Sequence, residues 1–324
     1  MRIMNAGYEI MPMNGTMFEN IEKVARICYK SEDKICEGSA ERMVRSLVKR
    51  NHEAMLEHES IIFAVDFETY KRFTSYVKTL ESLGFDNMMR TTYFDRGIIS
   101  GNIRMWRDLI RFSLPIMKDY DDTSNYRFPQ VLADLMAYKS KWPIIFDDMD
   151  MEAADIFDGC VFTPIDKEQL TDEEKPHHYT ITVVFSVDAG VGREITRHRK
   201  SSFAQESTRY VNYSKGQYGS EIAVIKPCFF EEGSDAYTAW KKGCRDAEAA
   251  YMQLIEMGRT PQEARDVLPF SVKSELVMTT VIKYWQHFFD LRAREVTGGA
   301  HPQMKEVAVP LYHEMKRDYP GLFE

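Results

Sequence analysis

Residues 179–210 read YTITVVFSVDAGVGREITRHRKSSFAQESTRY, and the change of pattern along this stretch decides the fold. Its first part, 179–188, is β-branched and aromatic, which reads as a strand. Asp188 then stands where a helix cap belongs, ahead of a helix expected to run through GREITRHRK at 192–200. On such a helix Arg193 and Arg197 lie one turn apart, and Arg197, His198 and Arg199 fan out in steps of about 100°. Beyond it, Arg209 joins Lys200 around Ser201, Ser202, Ser207 and Thr208. Guanidinium forks match phosphate oxygens, and hydroxyls and backbone N–H groups complete such a cradle. Complementing a helix dipole accounts for one or two basic residues, but not for the adjoining Ser/Gln/Glu/Ser/Thr/Arg segment.

Outward from there, residues 60–67 (SIIFAVDF) form a second expected strand, after helices over 17–29 and over 40–50 behind a Ser39 cap. Two echoes run through the chain. Ile62–Asp66 matches Val184–Asp188, and NIRMWRDLIRF (102–112) matches VIKYWQHFFDLR (281–292). Their spacings differ, so core patterns arising independently are preferred over a duplicated unit. Between about 115 and 177 acidic residues gather, among them Asp119, Asp147, Asp158 and Asp172, without a compact ligand loop; a solvated insertion is expected.

The last third reads as a helix over 235–257 ended by Gly258, a capping box at Thr260–Glu263 with Pro261 opening the next helix, and a strand over 271–278. Helices over 281–292 and 302–317 come next, the last bent at Pro310. No GxGxxG stands after a strand, so a Rossmann domain is not expected.

A chain of 324 residues, 44% hydrophobic and 28% charged, has the composition of a soluble globular protein. A net charge of −8 argues against nonspecific nucleic-acid coating and places the weight on a focused basic site for small anions. No apolar run reaches membrane-span length. Five scattered cysteines without a CxxC pair suggest neither zinc nor a disulfide framework, and fit a reduced, cytoplasmic setting.

Arg-His-Arg, seven residues and then Ser, closing in Thr-Arg-Tyr, resembles the signature of the flavin-dependent thymidylate synthases. HEAMLEHESIIFAVDF (52–67), TPQEARDVLP (260–269), and WQHFFDLR (285–292) with GAHPQMKEV (299–307) after it are similar to further family segments, in the family's order. The resemblance implies a single α+β domain over 1–324, a mostly antiparallel sheet flanked by helices with an insertion at about 70–177. It implies reductive methylation of dUMP to dTMP, with methylenetetrahydrofolate as carbon donor and NADPH reducing through bound FAD. It also implies a homotetramer with active sites at subunit contacts, and neither a metal nor nucleic acid as partner.

By the same resemblance, Arg197, His198, Arg199, Lys200, Gln205, His287, Ala54 and Lys283 would contact FAD. Glu194, Arg197, Gln205, Glu206, Ser207, Thr208, Arg209, Arg265 and Arg292 would hold dUMP. Arg292 would sit at the uracil edge and stabilise negative charge there. Ser207 is weighed as a substrate-binding hydroxyl over a covalent nucleophile, because flavin makes covalent help unnecessary. His52, His58 and His301 fit a ligand contact and a structural hydrogen bond equally well. Where the family commonly shows Asn-x-Arg, this chain has Val281-Ile282-Lys283; the intact form stands in the other echo, at Asn102, Arg104 and Trp106. Two rival functions remain. A cysteine-dependent thymidylate synthase would need a reactive thiolate, and Cys228 in IKPCFFEE fits poorly. A noncatalytic nucleotide- or nucleic-acid-binding module would use the basic 193–209 cluster alone.

Overall fold

β-branched runs and capped amphipathic segments alternate along the chain, and the elements of the computed structural model track them. It describes residues 1–82, 93–108, 162–215 and 219–323. The strands are β1 (Arg2–Met4), β2 (Gly7–Met11), β3 (Ser60–Val65), β4 (Tyr93–Asp95), β5 (Ile98–Asn102), β6 (Phe162–Ile165), β7 (Thr180–Asp188), β8 (Ser202–Gln205), β9 (Ala223–Ile225) and β10 (Lys273–Val281). The α-helices are α1 (Met17–Tyr29), α2 (Ser39–Lys49), α3 (Phe67–Ser82), α4 (Lys175–His178), α5 (Ala189–Ile195), α6 (Asp235–Glu256), α7 (Pro261–Ala264), α8 (Ile282–Arg292) and α9 (Pro302–Asp318). Residues 103–108 are helical as well.

The strands make two four-stranded sheets, in the orders β2-β7-β10-β8 and β4-β5-β3-β6, with every pairing antiparallel; β1 and β9 add a short parallel pair. The expected α+β class with mostly antiparallel sheet is therefore what the chain adopts. One face of the first sheet buries Phe185, Val187, Met278, Trp285 and Phe288 together with Val307 and Leu311 of α9. Its other face takes Val24 and Cys28 of α1 against Ala204 and Val277. Helix α9 continues as a helix through Pro310.

The two echoes fold alike. β3 leads through Asp66, whose carboxylate accepts from Thr69 N at 2.7 Å, into α3; β7 leads through Asp188, which accepts from Val191 N at 2.9 Å, into α5. β5 runs into the helix at 103–108 and pairs with β3, as β10 runs into α8 and pairs with β7. The echoed aromatic pairs touch in both places. Phe63 meets Trp106 edge-on at 5.4 Å, and Phe185 meets Trp285 at 6.3 Å. The register differs: Ile62 pairs with Ser100, whereas Val184 pairs with Val277 rather than with Thr279. A shift of two residues keeps every side chain on its own face. Independent core patterns do not require matching caps, matching strand-to-helix order and matching ring contacts. The geometry thus favours an internal repeat over the independent origin expected from the sequence.

Other expectations change in detail. Ser39 is the first residue of α2 and Gly38 its cap; the Ser39 hydroxyl instead donates to Glu22 at 2.8 Å. The described end of the expected insertion is not merely a solvated surface. β6 completes the second sheet, and Phe162 and Leu170 are buried. The acidic residues Asp119 to Asp158, and Cys160, lie outside the described residues. No helix among the described residues is long and apolar enough to cross a membrane, and none of their acidic, histidine and cysteine side chains gather into a metal-binding group.

Candidate active site

Helix α5 stops at Ile195, which is fully buried, and not at Lys200 as expected. Arg197 N and His198 N close turns on Glu194 O at 3.2 Å and Ile195 O at 3.1 Å, and Thr280 Oγ1 at the end of β10 donates to Lys200 O at 2.7 Å. Past the end of the helix, Arg197–Ser201 lies beside the start of α8, with that tertiary bond fastening it to β10. Arg193 and Arg197 therefore do not share a helical face. Arg193 instead lies over the Phe270 ring, 4.7 Å from its centroid.

The basic turn and α8 enclose a cavity of about 470 Å³. From the turn it receives Arg197, His198, Arg199, Lys200 and Ser201; from α8 it receives Lys283, Tyr284, His287, Leu291 and Arg292. Positions 283, 284, 287 and 291 share one helical face. Five of these side chains are cationic, and no carboxylate is among the described residues that line the wall. The Ser201 hydroxyl is buried on that wall without a hydrogen-bond partner. A buried donor left unmatched costs about 1–3 kcal/mol, so the hydroxyl calls for a polar occupant.

Arg292 closes one end. Its Nε donates to His198 Nε2 at 3.2 Å and its Nη1 to Glu194 Oε2 at 3.1 Å. Burial first, then the charges of Arg292 and His287, push the His198 pKa down to about 4, so the ring is neutral near pH 7.

Not every expected residue meets here. Gln205 lies exposed on β8, its amide donating to Ser274 Oγ at 3.0 Å; Gly192 leaves room for that amide, which a Cβ there would approach to 3.3 Å. Glu206 is buried in an ion-pair ladder with Lys273 at 3.2 Å and Lys30 at 3.7 Å, and also accepts from Glu275 N at 3.2 Å. It lines a second cavity, of about 490 Å³, at the opposite end of β8. Ser207, Thr208 and Arg209 continue from there; Ser207 Oγ accepts from Arg209 N at 3.4 Å, and Arg209 is exposed. Arg265 is exposed at the end of α7, where the preceding Ala264 packs in the same cluster as Val211. Ala54 sits in a 3-10 turn, Glu53–His58, away from the cavity.

His58 has a structural role. It is buried, and its Nδ1 lies 2.7 Å from Thr279 Oγ1, which in turn lies 2.8 Å from Thr182 Oγ1, so the turn is pinned to β10 and β7. His52 reaches the Tyr29 hydroxyl at 3.3 Å, and His301 packs near Phe229. Val281 is wholly buried at the entry to α8, so its side chain does not face the cavity. Ser201 lines the site, as its place in the hydroxyl-rich segment suggested, and Tyr284 and Leu291 line it although sequence reasoning assigned them no role. Helical spacing from His287 was the signal for Tyr284 and Leu291.

Fold and cavity together define an α+β protein with a cationic pocket between a basic turn and a helix. Sequence kinship is more specific. Residues 175–321, a little under half of the chain, match the family model described as thymidylate synthase complementing protein. The flavin-dependent thymidylate synthase of Pyrococcus furiosus is 31% identical over 142 residues, covering 42% of this chain and 56% of that protein. That of Corynebacterium aurimucosum is 26% identical over 163 residues, covering 45% and 62%. The chain thus spans little more than half the length of the Pyrococcus relative it matches. Among solved structures, a UMP/dUMP methylase, PolB from Streptomyces cacaoi, is 22% identical over 43% of this chain and 69% of that one at a TM-score of 0.37. A second PolB structure is 15% identical over 98% and 93% at 0.39.

Proposed function

We propose that this chain carries out the reductive methylation of dUMP to dTMP, taking carbon from methylenetetrahydrofolate and electrons from NADPH through FAD. One observation carries the reading. The basic turn at 197–201 and the face of α8, some of whose residues lie more than eighty positions away in sequence, converge on one cavity with a surplus of positive charge. The match to the family model over 175–321 supports this chemistry for such a cavity.

The residues fit a flavin dinucleotide. Arg197, Arg199, Lys200 and Lys283 supply the charge that a pyrophosphate needs, and the orphaned Ser201 hydroxyl supplies a further donor. Tyr284 and His287 offer flat faces to a ring system. When bound, the flavin would supply the hydride chemistry. The protein's own contribution is then to bind, orient and polarise. Arg292 presents a fixed positive charge, and negative charge developing on a pyrimidine imide edge beside it is stabilised without reorganisation. Five cations on one small surface also draw anions in from solution.

β8 supports the expected assembly. Ser201 and Glu206 are separated by roughly 16 Å at a strand's rise per residue. The basic turn and the Ser207–Arg209 segment therefore stand at opposite ends of that strand within one protomer. A single nucleotide touched by both needs the far end of β8 from a second copy, and we infer an oligomer, a homotetramer by family resemblance, whose sites combine Arg292 of one protomer with Ser207, Arg209 and Arg265 of another.

The test is direct. Purified protein is mixed with dUMP, methylenetetrahydrofolate and NADPH, with and without FAD, and dTMP is monitored by chromatography. Flavin-dependent dTMP formation is expected. A colourless protein that takes up no added FAD and forms no dTMP overturns the proposal, and an active monomer in gel filtration overturns the shared site.

A further inference from the structure

Arg292 ends α8, and two groups from a different part of the chain hold its side chain. Glu194 approaches from the last turn of α5 and His198 from the basic turn. The His198 ring is itself wedged in place, 4.9 Å edge-on from Phe288 and 6.2 Å from His287. Phe288 is fully buried in the core, so the ring rests on a fixed surface on that side.

The hydrogen bond between them settles a proton. A guanidinium only donates, so the ring nitrogen facing it must accept, and a protonated imidazole has no nitrogen left that can. His198 is therefore neutral with its proton on Nδ1, in keeping with its lowered pKa. The charged and titratable groups around it agree. Arg292 and His287 face it from α8, Arg197 and Arg199 flank it in the turn, and Glu194, the one acid of the group, is engaged with Arg292.

A neutral acceptor and an acidic one do different things to an arginine. Glu194 is about a third exposed, with 37% of its side chain open to solvent, so its hold on the charge is screened. His198 takes no charge away. The pair fixes Nε and one Nη1 hydrogen, and leaves the guanidinium cationic with its remaining N–H groups for a ligand.

Building on the reading of the cavity as a pyrimidine nucleotide site, we propose that His198 and Glu194 are positioning residues that clamp Arg292 at two points before substrate arrives. His198 serves as an uncharged acceptor, so the positive charge meets the planar carbonyl–imide edge of the pyrimidine already oriented. Without the clamp a long, flexible side chain has to be ordered during the reaction, which lowers the rate of the chemical step more than it weakens binding.

Two independent measurements test this. In ligand-free protein with ¹⁵N-labelled histidine, the resonance absent from His198→Gln should be that of a neutral ring with bare Nε2, and it should stay so at pH 6. In turnover, His198→Leu should lower kcat roughly 10- to 100-fold with a smaller change in KM for dUMP. His198→Gln, whose side-chain oxygen accepts near the place of Nε2, should recover to within about threefold of the native rate. Melting temperature should stay close to native in both, and rates are compared at saturating FAD. A His198 ring protonated at pH 6, a native rate in His198→Leu, or equal losses in Leu and Gln overturns the clamp. If the leucine variant does not fold, the glutamine variant and the ring resonance still decide. Should the native protein form no dTMP at all, the proposed function fails, while the resonance continues to judge the clamp by itself.

Discussion

The β3–β5 region and the β7–β10 region are built on the same plan, yet only the second carries the described cationic cavity. Each has an antiparallel strand pair, an aspartate-capped helix after the first strand, and a tryptophan-bearing helix after the second. Trp106 Nε1 donates to Gly101 O at 3.0 Å, and Trp285 Nε1 to Ile181 O at 3.1 Å. The two part company just after the first strand. In the later region a short helix gives way to a basic turn tied to β10; in the earlier one α3 continues for sixteen residues with no comparable turn. The scaffold alone therefore does not make the site. A helix that ends early, so that five polar side chains can fold back over its neighbour, does.

The largest expected effect breaks the equivalence at the helices. Arg292→Ala should lower dTMP formation by about 100-fold or more, the scale of losing a preplaced electrostatic group, while flavin still binds. Arg104→Ala, on the helix at 103–108, removes surface pairs with Glu57 and Asp108 and should leave turnover within about twofold. Comparable losses in both would erase the distinction between the two regions.

Stability should show the likeness instead. Trp106→Phe and Trp285→Phe each remove one buried indole donor from a ring that is fully buried, and each should cost about 1–2 kcal/mol in urea unfolding. A neutral Trp106→Phe would mean the first region is not a folded counterpart of the second.

A finer contrast concerns protons. Burial depresses the His58 pKa from 6.5 to about 3, and His198 likewise falls to about 4. Below pH 6.5 the unfolded chain binds these protons and the fold does not, so stability present above 6.5 is lost as pH falls toward the folded values. Glu59 works in the opposite sense. Burial raises it from 4.5 to about 7, so its contribution is lost as pH rises through that window. His58→Gln should therefore reduce the drop in urea midpoint between pH 7 and pH 5. An unchanged drop would mean that His58 does not carry it.

The smallest effect is expected from Cys228→Ala, which should leave activity within about twofold. Burial and the nearby Glu306 raise this thiol, which leaves it poorly suited to act as a thiolate nucleophile. Complete loss would favour the cysteine-dependent route.

Much of this was legible in the residues. The strand over 180–188, the Asp188 cap, and the capping box at Thr260 are local signals, and the chain obeys them. So was the meeting of Arg197–Lys200 with Lys283, His287 and Arg292, through the family resemblance. The end of α5 was not. Helix propensity favours continuing through Arg197–Lys200, whereas in the fold Lys200 O is engaged by distant Thr280, a contact that local sequence does not show. Nor could spacing alone reveal that Glu206 is engaged by Lys273 and Lys30, both remote in sequence. The matching packing of Phe63 on Trp106 and of Phe185 on Trp285 likewise needed three dimensions to be seen.

β8 is only four residues long, with Ser202 and Ala204 turned inward and Gln205 outward. The interval between Arg-His-Arg and the serine is thereby a ruler. Deleting one residue from it would exchange the two faces, thrusting the Gln205 amide toward α1 and withdrawing Glu206 from its lysines. An odd count between the two is thus required by the pleat, whatever side chains fill it.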